Sequence, residues 1–226
     1  MLITIPKVLT PEEVKICRSL LENAQWQDGK KTAGYLAQGV KSNLQLAIDD
    51  PSAQKISEFL LGILHSNPTF IAAALPSRIL PPRFNKYESS GAYGFHIDNA
   101  IFPHPATGQQ IRTDVSSTVF FSDPDEYDGG ELIIADTYGE QSIKLNAGDA
   151  VVYPGNSLHK VNPVTRGTRF ASFFWTQSMV REAHKRSILW ELDQSIQTLA
   201  QCGSDPENLA RLSGVYHNLI REWAQT

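Results

Sequence analysis

The chain has 226 residues, 41% of them hydrophobic, and a formal net charge of −4, which suits one core-bearing domain with at most a small appendage. No run of lysine and arginine occurs, which argues against a nucleic-acid partner or an anionic membrane surface. Two distant cysteines, Cys17 and Cys202, lack C-x-x-C spacing, so neither a disulfide framework nor a zinc-thiolate site follows, and both suit a reducing compartment. The opening MLITIPKVLTPEEV has a short apolar run and no basic leader. No stretch is apolar for long enough to span a bilayer. The expectation is a cytoplasmic protein with no membrane segment.

The first helix signal is LTPEEVKICRSLLENAQW: Thr10 can cap, Pro11 suits the first helical position, and Glu13 completes a capping-box spacing. Val14, Cys17, Leu21 and Ala24 then recur at helical period. A second helix is expected from Asp50-Pro51, burying Ile56, Phe59, Leu60 and Ile63. Residues 27 to 49 between them are polar and contain glycine, without firm periodicity.

After about residue 70, short β-branched and aromatic runs alternate with Gly, Pro, Asp and Asn turns. Strands are expected at Arg83–Tyr87, Tyr93–Ile97, Ser117–Phe121, Glu131–Ala135, Ser142–Leu145, Ala150–Tyr153 and Arg169–Trp175. Many short strands at close spacing read as an antiparallel sandwich or jelly roll, whose mouth suits a metal or ligand. From about residue 178, Leu189, Leu192, Ile196 and Leu199, then Leu209, Leu212, Tyr216, Leu219 and Trp223, step by three and four around a break at Gly203 to Pro206. That pattern is a helical hairpin with apolar seams. The seams either pack on the chain's own sandwich or form a dimer interface.

Of the six histidines, His65, His104, His184 and His217 read as structural or exposed. His96 and Asp98 differ, because residues two apart on a strand share a face. His159 follows the Ala150–Tyr153 strand and a Pro-Gly turn, and Arg169 opens the strand RFASFFW ten residues further on. An arginine entering so apolar a strand is part-buried, and a buried guanidinium needs a carboxylate. Two imidazoles and one carboxylate match the facial triad of non-haem Fe(II) oxygenases. Zinc accepts the same ligands but leaves Arg169 without a purpose.

At these residues the chain resembles the Fe(II)/2-oxoglutarate-dependent dioxygenases of the prolyl 4-hydroxylase branch. Tyr87, Gly91, Tyr93, His96, Asp98 and Asn99 resemble that branch's histidine–aspartate segment. Gly129-Gly130-Glu131-Leu132 resembles its turn and strand, Ala147-Gly148-Asp149-Ala150 the turn before the distal histidine, and His159-x-Val161-x-Pro163 with Gly167-x-Arg169 its closing segment. Along the whole chain AAALP, RTD, FFSDP, YDGGEL, SMVREAHKRSILWELDQSIQ and YHNLIREW resemble the bacterial PKHD-type hydroxylases, the PiuC/YbiX group.

The resemblance implies an α+β fold: a double-stranded β-helix (jelly roll) from about residue 78, with flanking N-terminal helices and a C-terminal helical hairpin. It divides the chain into a dioxygenase domain, 1–177, and the hairpin, 178–226. It implies Fe(II) on His96, Asp98 and His159, and 2-oxoglutarate with its distal carboxylate on Arg169. Tyr87 either donates to that carboxylate or is a core tyrosine. O2 and 2-oxoglutarate are then cosubstrates, ascorbate a helper that rescues oxidised iron, and the primary substrate is unidentified, in a setting of iron acquisition. Asp98 stands where halogenating relatives carry a small residue, which implies hydroxylation. Asn99, His104, Arg112 and Asp114 are polar neighbours of the expected mouth. Two other readings use the same residues: a non-catalytic iron or 2-oxoglutarate sensor that signals through the helical tail, and a structural sandwich with a zinc site.

Overall fold

The computed structural model describes residues 1–32 and 39–225; part of the aperiodic stretch 27 to 49, and the last residue of the tail, lie outside the described residues. A short strand β1 (Ile3–Ile5) leads into helix α1 (Pro11–Glu22). Thr10 caps α1 as its sequence implies: its hydroxyl accepts from Glu13 N–H and the Glu13 carboxylate accepts from Thr10 N–H. Strands β2 (Trp26–Asp28), β3 (Lys41–Ser42) and β4 (Leu44–Leu46) follow, in a stretch where the sequence shows no period. Helix α2 (Pro51–Ser66) is capped by Asp50, and α3 (Pro68–Ala74) by Asn67. The row Ala53, Ile56, Ser57, Leu60 and Leu64 is buried. Phe59, expected inside, is 40% exposed, and Ile63 is only partly buried, because both lie off that i, i+4 row.

The remaining strands are β5 (Pro76–Ile79), β6 (Arg83–Tyr87), β7 (Ala92–His96), β8 (Ile101–Pro103), β9 (Gln110–Arg112), β10 (Val115–Phe120), β11 (Tyr127–Gly129), β12 (Leu132–Asp136), β13 (Gly139–Ile143), β14 (Ala150–Pro154), β15 (Leu158–Val161), β16 (Val164–Gly167) and β17 (Arg169–Ser178). One sheet has the order β1-β14-β10-β17-β6-β4-β2, with β5 also on β17; the second has the order β13-β12-β15-β7-β3. Every ladder among the described residues is antiparallel. The two sheets form the jelly roll, and the helices make the fold α+β.

Alternation along the first sheet gives it two apolar faces. Phe84, Val115, Val119, Val152, Phe170 and Phe174 pack outward against α1, α2 and α3. Tyr87, Phe120, Val151 and Tyr153 point to the second sheet, meeting Leu132, Ile134, Ile143 and Val161. This second layer closes one end of the sandwich and leaves a cavity at the other. Helices α4 (Ala183–Gln201) and α5 (Pro206–Trp223) form the C-terminal hairpin. Leu189 reaches Leu75 and Val180, beside Tyr216, Leu219 and Trp223. Arg186, 3% exposed, donates to the carbonyls of Val180, Arg181 and Asp114, which anchors α4 to the strand region. Among the described residues, no helix is long and apolar enough to cross a membrane.

Candidate active site

The two histidines meet through strand pairing. His159 of β15 stands directly opposite His96 of β7, and facing residues of an antiparallel pair have adjacent side chains. Their ring centroids are 4.2 Å apart. Asp98, two residues past His96, turns its carboxylate to both: Oδ1 is 3.9 Å from His96 Nε2 and Oδ2 is 3.9 Å from His159 Nε2. One donor atom from each of the three lies within 4.8 Å of the others.

Neighbouring groups orient all three. His96 Nδ1–H donates to the Gly94 carbonyl at 2.8 Å, and His159 Nδ1–H to the Ser157 carbonyl at 3.0 Å. Both Nε2 lone pairs are thereby directed to the shared centre. Asp98 Oδ2 accepts from Ser116 Oγ at 2.7 Å and from Trp175 Nε1 at 2.8 Å. The Tyr93 ring stacks on His96 at 3.6 Å. Burial first, and then the neighbouring His159, push the His96 pKa from 6.5 to about 4, so its imidazole is neutral at neutral pH and ready to donate electrons. This donor set fits a divalent transition ion of the iron or zinc type.

The three ligand-type residues open into a cavity of about 740 Å³ that also holds Tyr87, Tyr153 and Arg169. Arg169 faces Tyr87 across β17 and β6, and its guanidinium lies 5.1 Å from the Phe120 ring centroid and 5.4 Å from that of Tyr87. It is 1% exposed. Among the described residues, its Nε and Nη1 have no hydrogen-bond partner and it forms no ion pair. The Tyr127 hydroxyl lies beside the guanidinium, which offsets part of the upward shift that burial imposes on the phenol. A buried cation without an ion pair is costly, and an anion entering the cavity would satisfy it. Burial raises the Tyr87 phenol above its usual range, although Arg169 opposes the shift; the hydroxyl keeps its proton and can donate.

Of the polar neighbours singled out in the sequence, only Asn99 lines the cavity. His104 is in the β8–β9 hairpin away from it. Arg112 and Asp114 pair with each other at 2.6 Å, and Asp114 also accepts from Ser178 N–H; both are structural. The sequence reading missed Lys41, Arg83, Phe102 and Phe173, all of which line the cavity. The signal for Arg83 was present: Arg83, Asn85 and Tyr87 alternate along one strand, so a cavity-facing Tyr87 places Arg83 on the same face.

Comparison with known proteins agrees with this geometry. Residues 82–177 match the model of the 2OG-Fe(II) oxygenase superfamily, and residues 184–225 that of the PKHD-type hydroxylase C-terminal domain. The chain is 58% identical to a PKHD-type hydroxylase of Delftia acidovorans and 56% identical to PKHD-type hydroxylase PiuC of Pseudomonas aeruginosa, each over 225 residues and the full length of both chains. Among solved structures, a Pseudomonas putida prolyl-4-hydroxylase aligns with a TM-score of 0.54 at 18% identity, covering 78% of this chain and 92% of that one. A prolyl hydroxylase from Trichoplax adhaerens aligns at 0.58 and 12% identity, covering 78% and 83%. These distant likenesses establish the jelly-roll fold, whereas the full-length relatives establish the family. The chain belongs to the PKHD-type hydroxylases, iron- and 2-oxoglutarate-dependent enzymes of the 2OG-Fe(II) oxygenase superfamily.

Proposed function

We propose that His96, Asp98 and His159 hold the catalytic Fe(II), and that Arg169 binds the distal carboxylate of 2-oxoglutarate, with Tyr87 donating its hydroxyl beside it. The observation that carries this reading is Arg169: a buried guanidinium that lines the cavity the three ligands share and, among the described residues, has no ion pair and two nitrogens without a hydrogen-bond partner. A bidentate carboxylate would answer it and fix the cosubstrate's angle. Bound iron and 2-oxoglutarate supply the oxidising chemistry, in which decarboxylation of the cosubstrate with O2 is coupled to hydroxylation of the primary substrate. The chain's own part is positioning. The Gly94 and Ser157 carbonyls hold both histidines with Nε2 free to ligate, Ser116 and Trp175 hold the carboxylate, and Leu132, Tyr153 and Val161 line the cavity beside them.

The same reading takes residues 1–177 as the dioxygenase domain and 178–226 as the hairpin, in keeping with the two family matches at 82–177 and 184–225. It includes ascorbate as the reductant that rescues oxidised iron and a cytoplasmic location suited to two free cysteines. It also includes a role in iron acquisition, carried over from the PiuC/YbiX resemblance, and a homodimer through α4 and α5. No residue of α5 is fully buried within one chain, which supports the last.

The test is succinate formation by anaerobically iron-loaded protein given 2-oxoglutarate, ascorbate and air, beside the His159→Ala and Arg169→Gln variants. Wild type alone should form succinate. Arg169→Gln should keep iron yet bind 2-oxoglutarate about 30-fold or more weakly, the cost of breaking a buried charge pair. Unchanged cosubstrate affinity in that variant would remove Arg169 from the site. Iron and 2-oxoglutarate binding without succinate, even with candidate substrates, would favour the sensor reading.

A further inference from the structure

A second cation faces the cavity, and among the described residues no carboxylate pairs with it. Arg83 opens β6, on the inward row that ends at Tyr87. At about 3.3 Å per residue, the two ends of this row are ~13 Å apart. Arg169 faces one end and Phe173 the other. The Arg83 guanidinium lies 5.4 Å from the Phe102 ring centroid and 5.6 Å from that of Trp175. Among the described residues it forms no ion pair. Lys41, 4% exposed, is close enough to Arg83 for the two cations to oppose each other, an effect that Asp98 and Asp28 partly offset at Lys41. A part-desolvated guanidinium without an ion pair is costly until an anion joins it. An arginine stacked on aromatic faces still offers its in-plane donors to a planar oxyanion.

We propose that Arg83 determines specificity by pairing with a carboxylate of the primary substrate, whose apolar or aromatic body lies against Phe102, Phe173 and Trp175. The inference rests on the reading above, in which Arg169 serves the cosubstrate and leaves Arg83 for the substrate. Trp175 joins the two regions, since the ring beside Arg83 also donates to Asp98. A substrate carboxylate at Arg83 would thus sit one side chain away from the metal ligands.

Either a free acid or a polypeptide can present the carboxylate, and calorimetry on the anaerobic Fe(II)·2-oxoglutarate protein separates these sources. The probes are benzoate against benzamide, and a capped Ala-Glu-Ala peptide against its glutamine counterpart. At least one anion should bind about tenfold or more tightly than its neutral isostere, and the tighter anion names the source. Arg83→Gln should abolish that preference without changing 2-oxoglutarate affinity, whereas Arg83→Lys should keep part of it, which excludes mere collapse of the aromatic stack. Equal binding of anion and isostere, a preference that survives Arg83→Gln, or no binding of either anion at millimolar concentration would overturn the inference. Each of those results comes from protein that has already bound iron and 2-oxoglutarate. Failure of the underlying reading shows earlier, as wild type that does not bind them.

Discussion

Trp175 carries two duties with one side chain: its indole N–H orients Asp98 while its ring supports Arg83. Trp175→Phe removes the first and keeps most of the second. We expect Fe(II) affinity to fall about 10- to 100-fold, the usual effect of losing an outer-shell partner, as read by anaerobic metal titration. His96 gives a pH prediction. Its folded pKa is about 4 against 6.5 for the free side chain, so between these values the unfolded chain binds the proton that the folded chain refuses. Stability of the metal-free protein therefore falls as pH drops through that window. Urea midpoints at pH 7 and 4.5 should show this, and His96→Gln should flatten the difference.

The turns that join the strands are as specific as the site. Gly167, at φ +71°, lies so close to strand β11 that a Cβ would collide with the Glu126 carbonyl oxygen. Gly129, at φ +73°, meets the Pro163 carbonyl in the same way. Gly167→Ala should cost several kcal/mol, since it combines left-handed strain with a backbone clash, and thermal unfolding would measure it. This requirement explains why glycines mark the segments that resemble the family. The strong elements were legible because their signals are local: the Thr10 box, the Asp50 cap, and strands such as Arg83–Tyr87 with clear alternation and turn flanks. Strands β2, β3 and β4 were not, because two- and three-residue pieces show no period and owe their conformation to their partners. The histidine pair was visible as residue types and spacing. The direct β7–β15 register that joins His96 to His159 is a property of pairing between distant segments. Lys41 escaped for the same reason, since only the β3–β7 ladder brings it to the cavity.

At the scale of the molecule, the hairpin has one face docked and another open. Leu189 and Arg186 fasten it, while Ile188 and Val215 stay 49% and 50% exposed. Val215→Glu should leave the monomer fold intact, because exposed substitutions change stability little. If α4 and α5 form the dimer, this variant should sediment as a monomer where wild type sediments as a dimer.

His96 and His159 belong to the second sheet, whereas the hydroxyl and indole that grip Asp98 come from β10 and β17 of the first. Metal at this point would stitch the two layers together, and a ligand bound only by the folded state adds about 2.7 kcal/mol at a hundredfold excess over its Kd. The lifetime of the polypeptide should then follow metal supply. Iron-free chains would open and be cleaved sooner, and limited proteolysis with and without Fe(II) should show protection concentrated in β7 and β15. The centre that performs the chemistry would in this way also decide which copies a cell keeps.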